Sequence, residues 1–175
     1  MKKYKIYHIL TLLLAAMMAV SCSTTKHLPE GETLYLGLKK VTINNEDKSK
    51  AGQKALAEAE GAISIAPNNA IVVKPNIRFP IPFGLWIYNR FERYEKGFGK
   101  WIFKKLAAKP VYVSTVNPET RIKVASNLLH DYGYFDGKVT YRVDSTRNPR
   151  AVKLSYDIDM GNPYYIDTVT YEGFR

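Results

Sequence analysis

The chain has 175 residues, 46% hydrophobic and 24% charged, with a formal charge of +10. These are globular values with enough chain for one core, which excludes wholesale disorder and disfavours a large enzyme. A complete outer-membrane barrel is disfavoured too, because eight spanning strands of roughly 10 residues each need a long series of alternating apolar segments, and no such series appears. The positive charge is concentrated. Residues 70–110 hold nine bases and two acids, together with nine of the 22 aromatic residues, whereas 22–69 and 111–175 are each balanced. The chain thus reads as two neutral flanks around one basic, aromatic insert.

At the N-terminus, Lys2, Lys3 and Lys5 precede the uncharged run Ile9 to Val20, 12 residues long. That pattern is a secretory signal, and the run is too short for a spanning helix of about 20 residues. The sequence Ala19-Val20-Ser21-Cys22 looks like a bacterial lipobox, in which the Cys is acylated and becomes the first residue of the mature chain. Cys22 is also the sole cysteine, which excludes an internal disulfide. Residues 1–21 are therefore expected to be a lipoprotein signal peptide and 22–33 a tether, with a covalent N-terminal lipid and no other cofactor. Several acyl chains give stable anchoring. Ser23, Thr24 and Thr25 after the Cys, by the sorting habits of bacterial lipoproteins, imply the outer membrane, facing the periplasm.

In the mature chain, Leu34, Leu36 and Leu38, then Val41 and Ile43, alternate as a half-buried strand does, with a phase change at Lys39-Lys40 that predicts a bulge. Gly52 to Glu60 predicts a short helix stopped by Gly61. The insert, about 61–116, carries Ile87, Phe91, Tyr94, Phe98, Trp101 and Ile102 at helical spacing within an arc of about 100°. Arg90, Arg93, Lys96, Lys100 and Lys104 occupy the rest of the circumference, and Gly97 and Gly99 predict a joint between two shorter helices. Trp86, Arg90, Arg93, Lys100, Trp101, Lys104 and Lys105 are candidate contacts to a membrane or anionic surface. Packing of the same stripe on the sheet as an ordinary core face is the competing expectation, and the commoner use of such stripes.

Asn117-Pro118-Glu119 is a helix start: Asn caps free N–H groups, Pro needs none, and Glu suits the positive helix end. Ile122, Ala125, Leu128, Leu129 and Tyr132 form its apolar stripe, and Gly133 ends it. Val139, Tyr141 and Val143, then Val152, Leu154, Tyr156 and Ile158, predict a hairpin turned by Ser145 to Arg150. After Gly161-Asn162-Pro163, Tyr164 to Tyr171 predicts one more strand. His130 is expected to stabilise a helix end, and Asp157 and Asp159 to be solvated. No P-loop, metal-ligand spacing or nucleophile motif occurs, so no enzyme is expected. An exported, lipidated chain meets no nucleic acid.

Strand-helix-helix-strand-strand is the order of a POTRA domain. Asp131-Tyr132-Gly133-Tyr134-Phe135, then Gly161-Asn162-Pro163-Tyr164-Tyr165-Ile166-Asp167 leading to Thr170-Tyr171-Glu172-Gly173, resembles the punctuation between successive POTRA units. Cys22 to Glu32, with Lys74-Pro75-Asn76 and Leu85-Trp86-Ile87-Tyr88-Asn89, is similar to the start of the TamA-like lipoproteins of Bacteroidetes, relatives of the BamA and TamA outer-membrane insertases. The resemblance implies an α+β, POTRA-like β-α-α-β-β domain over 34–160 with a helical basic and aromatic insert, followed at 161–175 by the first strand of a second unit. Members of that family continue through more units into a barrel, so this chain is expected to be part of such a protein. By resemblance it binds unfolded outer-membrane proteins and other barrel-assembly components. The strand after the second helix lies at the sheet edge in POTRA domains, which makes Lys138, Val139, Thr140, Tyr141, Arg142 and Val143 the candidate partner-binding edge. Val139, Tyr141 and Val143 are expected to face inward, and a proline at Thr140 to remove a donor from that edge. The alternative is a self-contained lipoprotein adaptor that binds an envelope partner or anionic headgroups.

Overall fold

The computed structural model describes residues 7–8, 11, 25, 28–68, 70–71, 74–78, 82–171 and 173, with backbone alone for 71 and 74–78. The lipobox and Cys22 lie outside the described residues. In chain order the elements are β1 (Leu34–Asn44), α1 (Lys50–Ile63), a small ladder of β2 (Ala70–Ile71) and β3 (Lys74–Arg78), α2 (Phe83–Phe91), α3 (Gly97–Leu106), a helical turn Val113–Val116, α4 (Pro118–Asp131), β4 (Lys138–Ser145) and β5 (Ala151–Asp159). The main sheet has the order β1-β5-β4, with β5 parallel to β1 and antiparallel to β4. The protein is α+β, with α1 and α4 layered on one face of a three-stranded mixed sheet.

The N-terminus of α1 is built by local polar chemistry. Ser49 accepts from the Gly52 N–H at 3.0 Å, and Asp47 in turn accepts from the Ser49 N–H and the Tyr134 hydroxyl. Such a cap contributes about 1 kcal/mol. The helix runs through Gly61, which faces solvent, and ends at Ile63, with Ser64 as its C-cap. The stop expected at Gly61 does not occur because the apolar repeat carries on to Ile63, buried in the core. Asn117 caps α4 as expected, accepting from the Thr120 N–H at 3.3 Å.

Ala55, Leu56, Ala59 and Ile63 of α1 meet Ala125 and Leu129 of α4, over Tyr35, Val139, Leu154, Tyr156 and Ile158 of the sheet. Small residues at 55, 59 and 125 let the helices approach closely while the sheet supplies the bulk. β1 changes phase twice, with register shifts on both sides of Leu38. Leu34 and Leu36 therefore belong to a second cluster with Leu28, Leu85 and Ala151, while Tyr35, Leu38, Val41 and Ile43 face the helices. The second shift, between Leu38 and Lys40, is the bulge expected at Lys39-Lys40; the first, between Tyr35 and Leu38, was not expected and contains Gly37 at φ +105°.

Tyr164–Tyr171 is exposed and has no strand partner among the described residues. A strand exists through its ladder, and this segment pairs with neither edge of the three-stranded sheet.

Candidate functional site

The strand β4 is one edge of the sheet, paired with β5 without any shift from Lys138–Asp159 to Ser145–Val152. Antiparallel pairing turns alternate residues inward and outward. The Val139 N–H donates to Ser126 Oγ on α4 rather than to β5, and on the far side of β5 the Met160 N–H donates to the Asn44 carbonyl. Both bonds set the same parity: Thr140, Arg142 and Asp144 bond β5, while Val139, Tyr141 and Val143 turn their main-chain groups outward. The expectation for Thr140 is thereby corrected, since a proline there removes a donor from the sheet and not from the free edge.

The edge is closed at its start and open afterwards. Ser126 takes the Val139 N–H, and His130 Nε2 lies 3.2 Å from the Gly137 carbonyl. From Tyr141 onward no described main chain covers it. Val139 is buried and Tyr141 half-buried, as expected, but Val143 is 48% exposed. The expected inward packing of Val143 is not met because α4, which begins at Pro118, covers the sheet over Val139 and Tyr141 and leaves the last residues of β4 bare. Lys138, Thr140 and Arg142 are exposed. Asp144 joins the three strands on the polar face, accepting from Lys39 Nζ at 2.9 Å and from the Ser155 hydroxyl. Those bonds, the Ser155 one first, hold its carboxyl below the usual aspartate range.

The opposite edge differs. At its start the β1 edge is occupied, with the Tyr35 N–H donating to the Val111 carbonyl and the Val113 N–H to the Thr33 carbonyl, both at 2.9 Å. Buried Asn68 locks this junction, donating to the carbonyls of Tyr35 and Val111 and accepting from the Val111 N–H. Farther on, the bulge protects it.

The insert forms two helices with a joint, as expected, but the break comes at Glu92–Lys96, before Gly97, whose φ of +75° starts α3. The five-residue interruption destroys the single-helix phase, so the expected separation of aromatic and basic faces does not form. Within α2 only Leu85 and Ile87 are buried, and α3 buries nothing. Packing of this stripe on the sheet as a core face is thus overturned. Trp86, Arg90, Arg93, Lys100, Trp101, Lys104 and Lys105 are all exposed. Tyr88 and Phe103 hold the helices together with ring centroids 5.5 Å apart, and the Ala108 N–H donates to the Gly84 carbonyl. Leu85 fixes the hairpin to Leu34 and Ala151 at the end of the sheet.

Two junctions went unread in the sequence. At the tether end, Arg150 donates to the carbonyls of Thr25, Leu28 and Pro29, and Asn148 Nδ2 donates to Thr25 Oγ1 at 2.8 Å. At the other end, the Tyr164 N–H donates to the Gly133 carbonyl at 2.9 Å and its hydroxyl to Asp136, with Phe135 edge-on to the Tyr164 ring. Gly133, at φ +89°, adopts a conformation that strains any side chain, and a Cβ there would crowd the Tyr164 carbonyl oxygen at 3.0 Å. The Arg150 latch has no sequence signature, because it is three carbonyls brought together by a turn.

Among the described residues no group of three or more His, Cys, Asp or Glu side chains could hold a metal ion, and no helix is long and apolar enough to cross a membrane. Asp159 is not merely solvated, since it accepts from Asn45 Nδ2 and the Gly161 N–H where β5 ends. No known protein family, curated protein or solved structure matches the chain.

Proposed function

We propose that this chain is the periplasm-facing, POTRA-like part of a lipid-anchored outer-membrane protein, and that it holds extended segments of unfolded barrel proteins by strand addition at β4. The reading is supported above all by the open main-chain groups of Tyr141 and Val143, two residues apart on a regular edge. Main-chain pairing accepts almost any side-chain sequence, which is what a handler of many different strands requires. Arg142 and Lys138 beside that edge discourage pairing between copies of the protein itself. The exit segment supports the multi-unit part of the reading: Tyr165, Ile166, Val169 and Tyr171 are exposed on a segment without regular structure that leaves the joint at Gly133, a feature that a following unit would cover.

Binding is the whole of the proposed activity; no catalytic step is assigned. Proline substitution tests it. Val143→Pro removes only an outward donor, as edge strands tolerate, and is expected to abolish cross-linking of extended barrel-strand peptides while circular dichroism stays unchanged. Thr140→Pro breaks the β4–β5 ladder and is expected to lower stability. Unchanged cross-linking in a folded Val143→Pro protein overturns strand addition here, and leaves the adaptor reading, in which the exposed hairpin α2–α3 is the contact surface.

A further inference from the structure

The α2–α3 hairpin carries a face that the fold leaves bare at the same end of the sheet from which the tether departs. At 100° per residue, Lys100, Lys104, Trp101, Lys105 and Phe98 of α3 fall within about 160° of arc. Phe98 and Trp101 stack with their ring centroids 5.7 Å apart, yet they remain 74% and 56% exposed. Among the described residues the three lysines have no acidic partner, and from Lys96 to Pro118 the sequence contains no acid at all. Burying this face against protein would cost three desolvated charges. Facing water leaves two large aromatic rings wet without gain.

Its place in the molecule identifies what it fits. Leu85 of α2 packs in one cluster with Leu28, Leu34 and Ala151, and Arg150, next in the chain, grips Thr25, Leu28 and Pro29. Thr25 is three residues from Cys22, a reach of at most about 11 Å. An acyl anchor at Cys22, part of the function proposed above, thus puts a lipid surface within that chain reach of the segment against which the hairpin is docked. Aromatic rings at headgroup depth with lysines reaching outward to phosphates is the arrangement an interfacial helix uses.

We propose that the exposed face of α3 rests on the anionic phospholipid surface in which the protein is anchored, so that tether, Arg150 latch and hairpin together hold the sheet at a set orientation, with its strands running away from the bilayer. The β4–β5 turn lies at the tether end of the sheet, which brings the open part of the β4 edge, from Tyr141 to Ser145, to the half of the strand nearer the lipid. A client emerging along the membrane surface then meets the free edge first.

The two tryptophans of the chain, Trp86 and Trp101, both lie in the hairpin, so intrinsic tryptophan fluorescence reports this region alone. The mature protein is reconstituted in vesicles of bromine-labelled phosphatidylcholine with and without phosphatidylglycerol. Quenching by the brominated chains several-fold stronger with phosphatidylglycerol is expected, and it should weaken with added salt and in Lys100→Gln/Lys104→Gln/Lys105→Gln, whose urea midpoint stays that of the parent. An acylated, vesicle-bound protein whose tryptophans stay open to aqueous iodide and untouched by bromolipid overturns the proposal while leaving the anchor intact. Equal quenching without phosphatidylglycerol, unchanged in the triple variant, overturns the headgroup recognition. Mass spectrometry separates the two readings: an unacylated mature chain breaks the anchor, and its quenching on added phosphatidylglycerol vesicles still tests the hairpin.

Discussion

Two pairs of helices in this protein carry apolar residues at helical spacing, and they end in opposite environments. In α1 and α4 the stripes close on each other and on the sheet, and Ala55, Ala59, Ala125 and Leu129 lose all exposure. In α2 and α3 only Leu85 and Ile87 find cover, and Phe83, Trp86, Phe98 and Trp101 stay exposed. Side-chain size separates the two. Alanines permit the close helix approach that excludes water, whereas bulky rings crowded with lysines on one short helix have neither a flat partner nor a way to leave their charges in water once buried. Periodicity therefore reports that a helix has a face, and not what the face meets.

The contrast is sharpest under truncation. Leu129→Ala, in the closed layer, is expected to cost about 2–5 kcal/mol of unfolding free energy in urea titrations, whereas Trp101→Ala should cost no more than about 1 kcal/mol, the worth of an exposed aromatic pair. A large loss from Trp101→Ala would mean that α3 is part of the core. Asn68→Ala comes next. It strips three hydrogen bonds from a buried junction, and leaving such groups unsatisfied costs about 1–3 kcal/mol. Because Asn68 ties β1 to the strand-like segment leading out of the insert, hydrogen exchange should accelerate at Tyr35 and Val113 before it does at Leu129; uniform acceleration would make the insert and the layer one cooperative unit.

The smallest expected effect concerns acid. Asp47 is held below the usual aspartate range chiefly by the Tyr134 hydroxyl, and Asp144 chiefly by Ser155 and then Lys39. A carboxylate with a depressed folded-state pKa binds fewer protons folded than unfolded, so its stabilisation is complete above the unfolded value and is lost as the pH falls toward the folded one. Both carboxylates are half-buried at the periphery of the fold, where nearby solvent screens them and keeps the effect small. Urea midpoints should decline modestly below the ordinary carboxylate range, and less so in Asp144→Asn. A steeper decline than either group explains would point to the helix layer, not the polar face. Tyr134 shows the other side of that pair, its phenol pushed up to about 12 by burial and then by the Asp47 bond, so it stays a donor throughout neutral pH.

Local chemistry made much of the fold legible. The Asn117-Pro118-Glu119 start, the stop at Gly133, the β4–β5 hairpin and the joint inside the insert are each written in neighbouring residues, because caps, turns and alternation act over a few positions. The place of β4 at the sheet edge came from resemblance, and the register then agreed. What no local pattern contained was parity and cover. Which residues of β4 turn their main chain outward depends on the partner strand, and only pairing with β5 together with the Ser126 bond to Val139 selects Tyr141 and Val143 over Thr140. Exposure of the insert was likewise settled by tertiary structure, since burial of an apolar stripe needs a complementary surface contributed from elsewhere in the chain. The Arg150 latch is the extreme case: one guanidinium and three carbonyls from residues more than 120 positions away meet only because β1 and β5 lie side by side in parallel.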